Sequence, residues 1–269
     1  MSGSTTATPP QQPTAEQETA SRQHYLHWFR HTAPYINAHR DKTFVLALSG
    51  EAVAHANFDN IVHDIALLDS LGVRLVLVHG ARPQIDSRLN ELGISSQFHN
   101  GRRITEQNER NAVIEAASGV SSRIEGLLSM GVANSPMHGA AIRVCGGNFV
   151  TAKPVGVIDG IDHGFTGDVR KIDTGAIHQL LAQNNIVLLS NLGYSTTGEV
   201  FNLCAEDLAA RVAVALGADK LIVFGEDDGL LDENGQLIRE CLSQTISDST
   251  NLLPERKAAL EYALSHKVS

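Results

Sequence analysis

The chain is poor in aromatic residues, which make up 5% of its 269 positions, and it has one tryptophan, Trp28. A sizeable core must therefore come from aliphatic side chains. Cysteine is also scarce: Cys145, Cys204 and Cys241 lie far apart and form neither a CxxC nor a zinc-ligand spacing. They read as half-buried thiols of a reducing compartment. Basic residues number 21 against 30 acidic ones, a net charge of −9. An acidic chain without a basic cluster argues against nucleic acid and anionic membrane as partners. No apolar run approaches the roughly 20 residues that cross a bilayer. The N-terminus has no charged-then-apolar signal pattern, so the expected location is the cytoplasm.

What the sequence does have is aliphatic residues and glycine. Hydrophobic residues make up 42% and glycines number 23, a mixture that suits an α/β fold with aliphatic strands and many tight turns. Residues 1–23 are mostly Ser, Thr, Pro, Gln and Ala and read as a disordered tail. Residues 24–40 form an N-terminal helix with Tyr25, Trp28 and Phe29 on one face. That face needs a partner, either its own domain or another subunit. Residues 41–269 read as one α/β domain.

Within that domain strands and helices alternate. The expected strands are Phe44–Leu48, Leu75–Val78, Ile186–Ser190 and Leu221–Phe224. The expected helices include Phe58–Leu71, Pro83–Leu92, Asp173–Gln183 and Ala205–Leu216, with Gly72, Gly93 and Gly217 as stops. A helix capped by Thr105 is expected, with a separate one over Ser121–Met130. Ala141–Cys145 and Phe149–Ala152 read as a hairpin around Gly146-Gly147, and Asp232–Gly235 as a turn before a short strand. Pro254–Ala263 reads as a last helix with no strand after it, so the domain looks incomplete at its C-terminus. Repeated βα units imply a mostly parallel sheet with helices on both faces.

Ligands of such sheets bind beyond the carboxyl ends of the strands, where Ser49-Gly50, His79-Gly80 and Ser190-Asn191 fall. A strand running into a glycine turn and a helix N-terminus offers N–H groups to phosphates. Phosphoryl transfer also needs cations. No Lys lies on the first strand or in its turn, and only Arg82 follows the second. Of the other polar clusters, His63-Asp64 reads as a surface pair on a helix, and Glu226-Asp227-Asp228 as a solvated acidic loop.

Several segments carry a specific resemblance. They are residues 29–40 (FRHTAPYINAHR), 76–86 (VLVHGARPQID), 128–130 (LSM), 136–139 (PMHG), 147–150 (GNFV) and 198–203 (GEVFNL). Together they resemble the amino-acid-kinase fold, and more narrowly the N-terminal half of bacterial N-acetylglutamate synthases. The resemblance implies a three-layer αβα sandwich with a mostly parallel central sheet. It implies a place in arginine biosynthesis, where the full-length enzymes move an acetyl group from acetyl-CoA to L-glutamate. That chemistry belongs to a C-terminal acetyltransferase domain. Its pyrophosphate loop is an Arg or Gln followed by Gly at +3 and Gly or Ala at +5. Arg123 and Arg143 come nearest here, but Leu128 and Asn148 break the pattern. No cofactor and no catalytic or metal residue is therefore expected in this chain, which alone is expected to be inactive. L-arginine is the implied effector, at His31, Tyr35 and Lys220, the last placed just before a strand. Homo-oligomers are the implied assembly.

The resemblance also places vestigial substrate and phosphate positions at Ala47, Ser49, Gly50, His79, Gly80, Arg82, Arg103, Asn202 and Glu206. Ala47 stands where N-acetylglutamate kinases carry Lys, Ala81 and Arg82 where they continue a glycine loop, and Glu206 where they carry Asp. Arg103 matches a carboxylate-binding Arg, with a surface or intersubunit ion pair as its other reading. Two alternatives stay open: a phosphotransferase of the N-acetylglutamate kinase type, and a non-catalytic partner of a separate acetyltransferase chain.

The apolar face of the N-terminal helix generates the first prediction. Deleting residues 1–40 should lower the oligomeric state measured by light scattering. An unchanged state in a folded deletion variant would assign Leu26, Trp28 and Phe29 to their own subunit.

Overall fold

The computed structural model describes residues 27, 30–130, 142–225, 229–231, 234, 236–238 and 254–268. The tail, Tyr25, Trp28, Phe29, residues 136–139, the acidic run 226–228 and Cys241 lie outside the described residues. The chain divides into two units, Met1–Arg40 and Asp41–Ser269. In the first, residue 27 and residues 30–39 are helical (α1).

The second unit is built on a five-stranded, wholly parallel sheet. Its strands are β1 (Thr43–Leu48), β2 (Arg74–His79), β5 (Val144–Gly146), β10 (Ile186–Ser190) and β13 (Lys220–Phe224), in the order β13-β1-β2-β10-β5. Aliphatic residues on both faces are what a doubly covered parallel sheet requires. Phe44, Leu46, Leu48, Leu75, Leu77, Ile186 and Leu188 point to one face. There they meet α3 (Phe58–Ser70), α4 (Arg82–Glu91) and α5 (Arg110–Ser129) through Phe58, Ile65, Leu89, Ile124 and Leu128. The alternate residues Val45, Ala47, Val76, Val78, Val187 and Leu189 point to the other face. They meet α6 (Thr174–Ala182), α7 (Ala205–Leu216) and α8 (Pro254–Ser265) through Ile177, Leu208, Val212 and Ala263. The period-two split of one strand into two cores makes the three-layer αβα sandwich.

A short helix, α2 (Gly50–Ala54), follows β1, capped by the Ser49 hydroxyl accepting from Ala52 N–H at 3.0 Å. A four-stranded sheet, β12-β11-β6-β9, comprises β6 (Val150–Pro154), β9 (Gly167–Ile172), β11 (Leu192–Tyr194) and β12 (Val200–Asn202). Among the described residues there are also three two-stranded pairs: β3 (Gln97–His99) with β4 (Arg102–Ile104), β7 (Val157–Ile158) with β8 (Ile161–Asp162), and β14 (Leu230–Leu231) with β15 (Leu237–Ile238).

Several expectations need correction. Thr105 caps no helix. Its side chain is fully buried, α5 begins five residues later after Glu109, and α5 runs unbroken through Ser121. Gly119 and the neighbouring serines blur the pattern, but Val113, Ala117, Val120, Ile124 and Leu128 keep helical spacing on one buried stripe. The hairpin at Gly146-Gly147 does not form. β5 pairs with β10, and β6 pairs in the other sheet with β9 and β11. Lys220 does not precede β13; it is its first residue.

Candidate functional site

The carboxyl ends of β1 and β2 lie side by side, with Leu48 in register with His79. Ser49-Gly50 and Gly80 follow, and Gly80 N–H donates to the Leu48 carbonyl at 2.8 Å. A methyl group on Gly80 would come within 3.3 Å of Gly50 N and 3.4 Å of the Ala205 Cβ. The two glycine turns and the start of α7, which carries Glu206, therefore converge as a kinase phosphate site would require.

The space over the first turn is filled by the chain itself. A Cβ on Gly50 would lie 2.7 Å from both the Gln84 Oε1 and the Pro83 Cδ, and 2.8 Å from Arg82 N. Gln84 Nε2 donates to the Gly50 carbonyl at 2.7 Å. The first turn of α4 thus packs directly on the turn that phosphates would need. The side chains agree. Ala47 is 4% exposed, inside the apolar cluster beneath α7. A lysine there would bury its charged head among Val78, Leu189 and Leu208 or have to snorkel out past them. Arg82 is exposed; its guanidinium donates to the Gly101 carbonyl at 3.3 Å and lies 5.7 Å from the Phe98 ring centre. Glu206 accepts from the Cys204 thiol at 3.4 Å.

Arg103 is buried within its own chain. It is 6% exposed, donates from Nη2 to Asp86 Oδ1 at 2.7 Å and from Nη1 to Ser96 Oγ, and lies 4.7 Å from the Phe98 ring centre. Its charge is met by a carboxylate of its own chain, and the remaining space is closed by an aromatic face. A polar network continues from it. Thr166 Oγ1 donates to the Arg103 carbonyl at 2.5 Å and meets Thr105 Oγ1 at 3.1 Å. Asn202 Nδ2 donates to Thr105 Oγ1 at 3.2 Å, and Asn202 Oδ1 accepts from Asn191 Nδ2 at 2.9 Å. Asn202 and Arg103 are therefore linked through Thr105 and Thr166, while Ser49, Gly50, Gly80 and Arg82 gather around the α4 start.

His79 is fully buried beneath these turns. Nδ1 faces the Gly80 carbonyl at 3.2 Å and Nε2 faces Ser121 Oγ at 2.7 Å. One tautomer satisfies both: Nδ1–H donates to the carbonyl and Nε2 accepts the serine proton. Burial pushes the imidazole pKa down to about 4, with the Gly80 hydrogen bond opposing it. His79 is thus a neutral strut between β2 and α5.

Of the expected effector positions, His31 and Tyr35 are one turn apart on α1. His31 is exposed and Tyr35 is 70% exposed. Lys220, in the other unit, holds its ammonium 6.0 Å from the Phe44 ring centre. Its neighbour Asp219 is held below the usual carboxylate range by the hydrogen bond from Lys42 and by Thr43 N–H.

A family model described as the amino acid kinase family matches residues 42–250. The chain belongs to the amino acid kinase family. It is 57% identical over 222 residues to the amino-acid acetyltransferase of Ectopseudomonas mendocina (strain ymp), across 82% of this chain and 51% of that protein. The chain thus spans about half the length of the curated relatives it matches. The structure of N-acetylglutamate synthase from Neisseria gonorrhoeae complexed with coenzyme A and L-arginine superposes with a TM-score of 0.82 at 33% identity, covering 89% of this chain and 57% of that one. Carbamate kinase from Giardia lamblia bound to AMP-PNP, at 14% identity and a TM-score of 0.57 over 84% of this chain and 90% of that one, shares the fold alone. Sequence reasoning assigns no role to Pro83, Gln84 and Asp86, whose contacts hold the Gly50 turn and Arg103. They lie in the 76–86 segment that carries the resemblance to N-acetylglutamate synthases.

The buried imidazole makes a pH prediction. Its pKa in the fold lies below the unfolded value, so the unfolded chain takes up the proton first. The neutral strut contributes its full stability above about pH 6.5 and loses it as pH falls toward 4. The loss through this window is roughly 3 kcal/mol. Denaturant midpoints measured from pH 7.5 to 4 should fall more steeply for the parent than for His79→Gln, which keeps polar contacts without titrating. Parallel curves would show that His79 is not the titrating group.

Proposed function

We propose that this chain is the arginine-sensing, oligomer-forming, kinase-like portion of an N-acetylglutamate synthase, working in the cytoplasm in arginine biosynthesis. The observation that carries the reading is the filled phosphate turn. With Pro83 and Gln84 packed over Gly50, and with Asp86 paired to Arg103, the two groups a kinase would use for nucleotide and substrate carboxylate are engaged within the chain. Such a domain contributes binding and assembly, not phosphoryl transfer. In the whole synthase, acetyl-CoA would be the acetyl donor and L-glutamate the acceptor, both at an acetyltransferase domain. The relative solved with L-arginine and coenzyme A supports arginine as the effector.

In this reading the ring of Tyr35 offers a face and a hydroxyl to a guanidinium, and His31 flanks it one turn away. A ligand that binds only the folded state raises stability with concentration, by about 2.7 kcal/mol at a hundredfold excess over Kd. Arginine titrated into a thermal melt should therefore raise the midpoint, and lysine at equal concentration should not. Tyr35→Ala should abolish most of the shift. No arginine shift in the parent would contradict the sensing role, and an unchanged shift in Tyr35→Ala would remove that ring from the site.

A further inference from the structure

α1 carries a histidine pair that joins His31, one of the proposed effector positions, to His27, which has no part in arginine sensing. His27 and His31 are four residues apart, so both project from one side of the helix, and both are exposed. Their rings are stacked at a tilt, 4.3 Å between centres, and their Nε2 atoms are 3.1 Å apart. Without a metal this contact needs one Nε2 to donate and the other to accept. With both nitrogens bare, the same pair presents two donor atoms 3.1 Å apart. Two imidazole nitrogens bound to one cation at about 2.0–2.1 Å stand roughly 2.9 Å apart at a right angle and about 3.3 Å apart at a tetrahedral angle. The observed separation lies between these limits. A histidine pair spaced i and i+4 on a helix is an established way of holding zinc.

We propose that His27 and His31 form a two-imidazole site for one divalent cation of the nickel, copper and zinc group. Imidazole suits these metals, whereas magnesium and calcium prefer oxygen ligands. Among the described residues no cluster of three or more His, Cys, Asp or Glu side chains is placed to hold a metal. Water therefore fills the other positions, and the site is open and exchangeable. Loading moves the shared proton to the far nitrogen of the donating ring, so two neutral imidazoles bind the cation with no net loss of a proton. Protonated imidazoles cannot bind, so affinity falls in acid. The helix needs no metal to form, and the stripped protein stays folded.

The test is calorimetric titration of nickel chloride into the full, untagged chain after chelator treatment, in a buffer that does not bind metal. The parent should take up one ion at this site. His27→Gln and His31→Gln should each weaken that binding by about tenfold or more, because either change leaves a single arm. His63→Gln, at an exposed position on α3, should leave it unchanged. A register control keeps the histidine count: His27→Gln combined with Arg30→His puts the two rings on adjacent residues that do not face each other, and it too should lose the site. Circular dichroism checks that each variant keeps its helix content. Parental affinity in either single variant, or in the register control, would overturn the proposal.

Discussion

The constraint on which the candidate site depends is the contact between the Gly50 turn and the first turn of α4. No side chain fits at residue 50, because a Cβ would stand 2.8 Å from the backbone nitrogen of Arg82 and 2.7 Å from two side-chain atoms. Backbone-to-backbone packing this tight fixes where α4 begins. Pro83 suits the start, since it gives up an N–H that the first helical turn leaves without an intrahelical partner. Once α4 is placed, Asp86 reaches Arg103, and Arg103 holds Ser96 and the Phe98 ring on the β3–β4 hairpin. The hairpin then leads into Thr105, whose hydroxyl joins the chain to Thr166 and Asn202. One missing methyl group thus underlies a path of contacts that runs from α4 through the β3–β4 hairpin to β12.

The same contact changes the electrostatics of the strand ends. A phosphate site works by turning N–H groups and cations toward one point. Here the Gly50 carbonyl is taken up by the Gln84 side chain, His79 is kept neutral by burial, and Ala47 contributes no charge. Arg103, the strongest buried cation of the region, is already paired. The kinase scaffold survives as shape. Its charge pattern is spent on internal cohesion.

Much of this architecture is legible in the sequence because it rests on local periodicity. The aliphatic runs at Phe44–Leu48, Leu75–Val78 and Ile186–Ser190 are strands, and Gly72, Gly93 and Gly217 end helices at positive φ. The sheet order β13-β1-β2-β10-β5 depends on long-range pairing and has no local signal. Glycine and serine in the middle of α5 lower helix propensity, so one helix reads as two until the buried stripe from Val113 to Leu128 is seen against the sheet. Val144–Gly146 and Val150–Pro154 read as a hairpin because a Gly-Gly pair lies between them, yet each finds a better partner in a different sheet. The state of Arg103 has no local signal in the sequence. Whether Arg103 awaits a ligand or is already satisfied turns on Asp86, which lies 17 residues away in sequence.

The central claim is that the chain fills its own phosphate turn. The most direct measurement is magnesium-ATP titrated calorimetrically into the purified chain, with and without N-acetylglutamate, and with ADP release followed in parallel. The account predicts no saturable nucleotide heat and no ADP release that depends on N-acetylglutamate. Saturable binding accompanied by such turnover would show that α4 moves off Gly50 and that the site still works as a kinase.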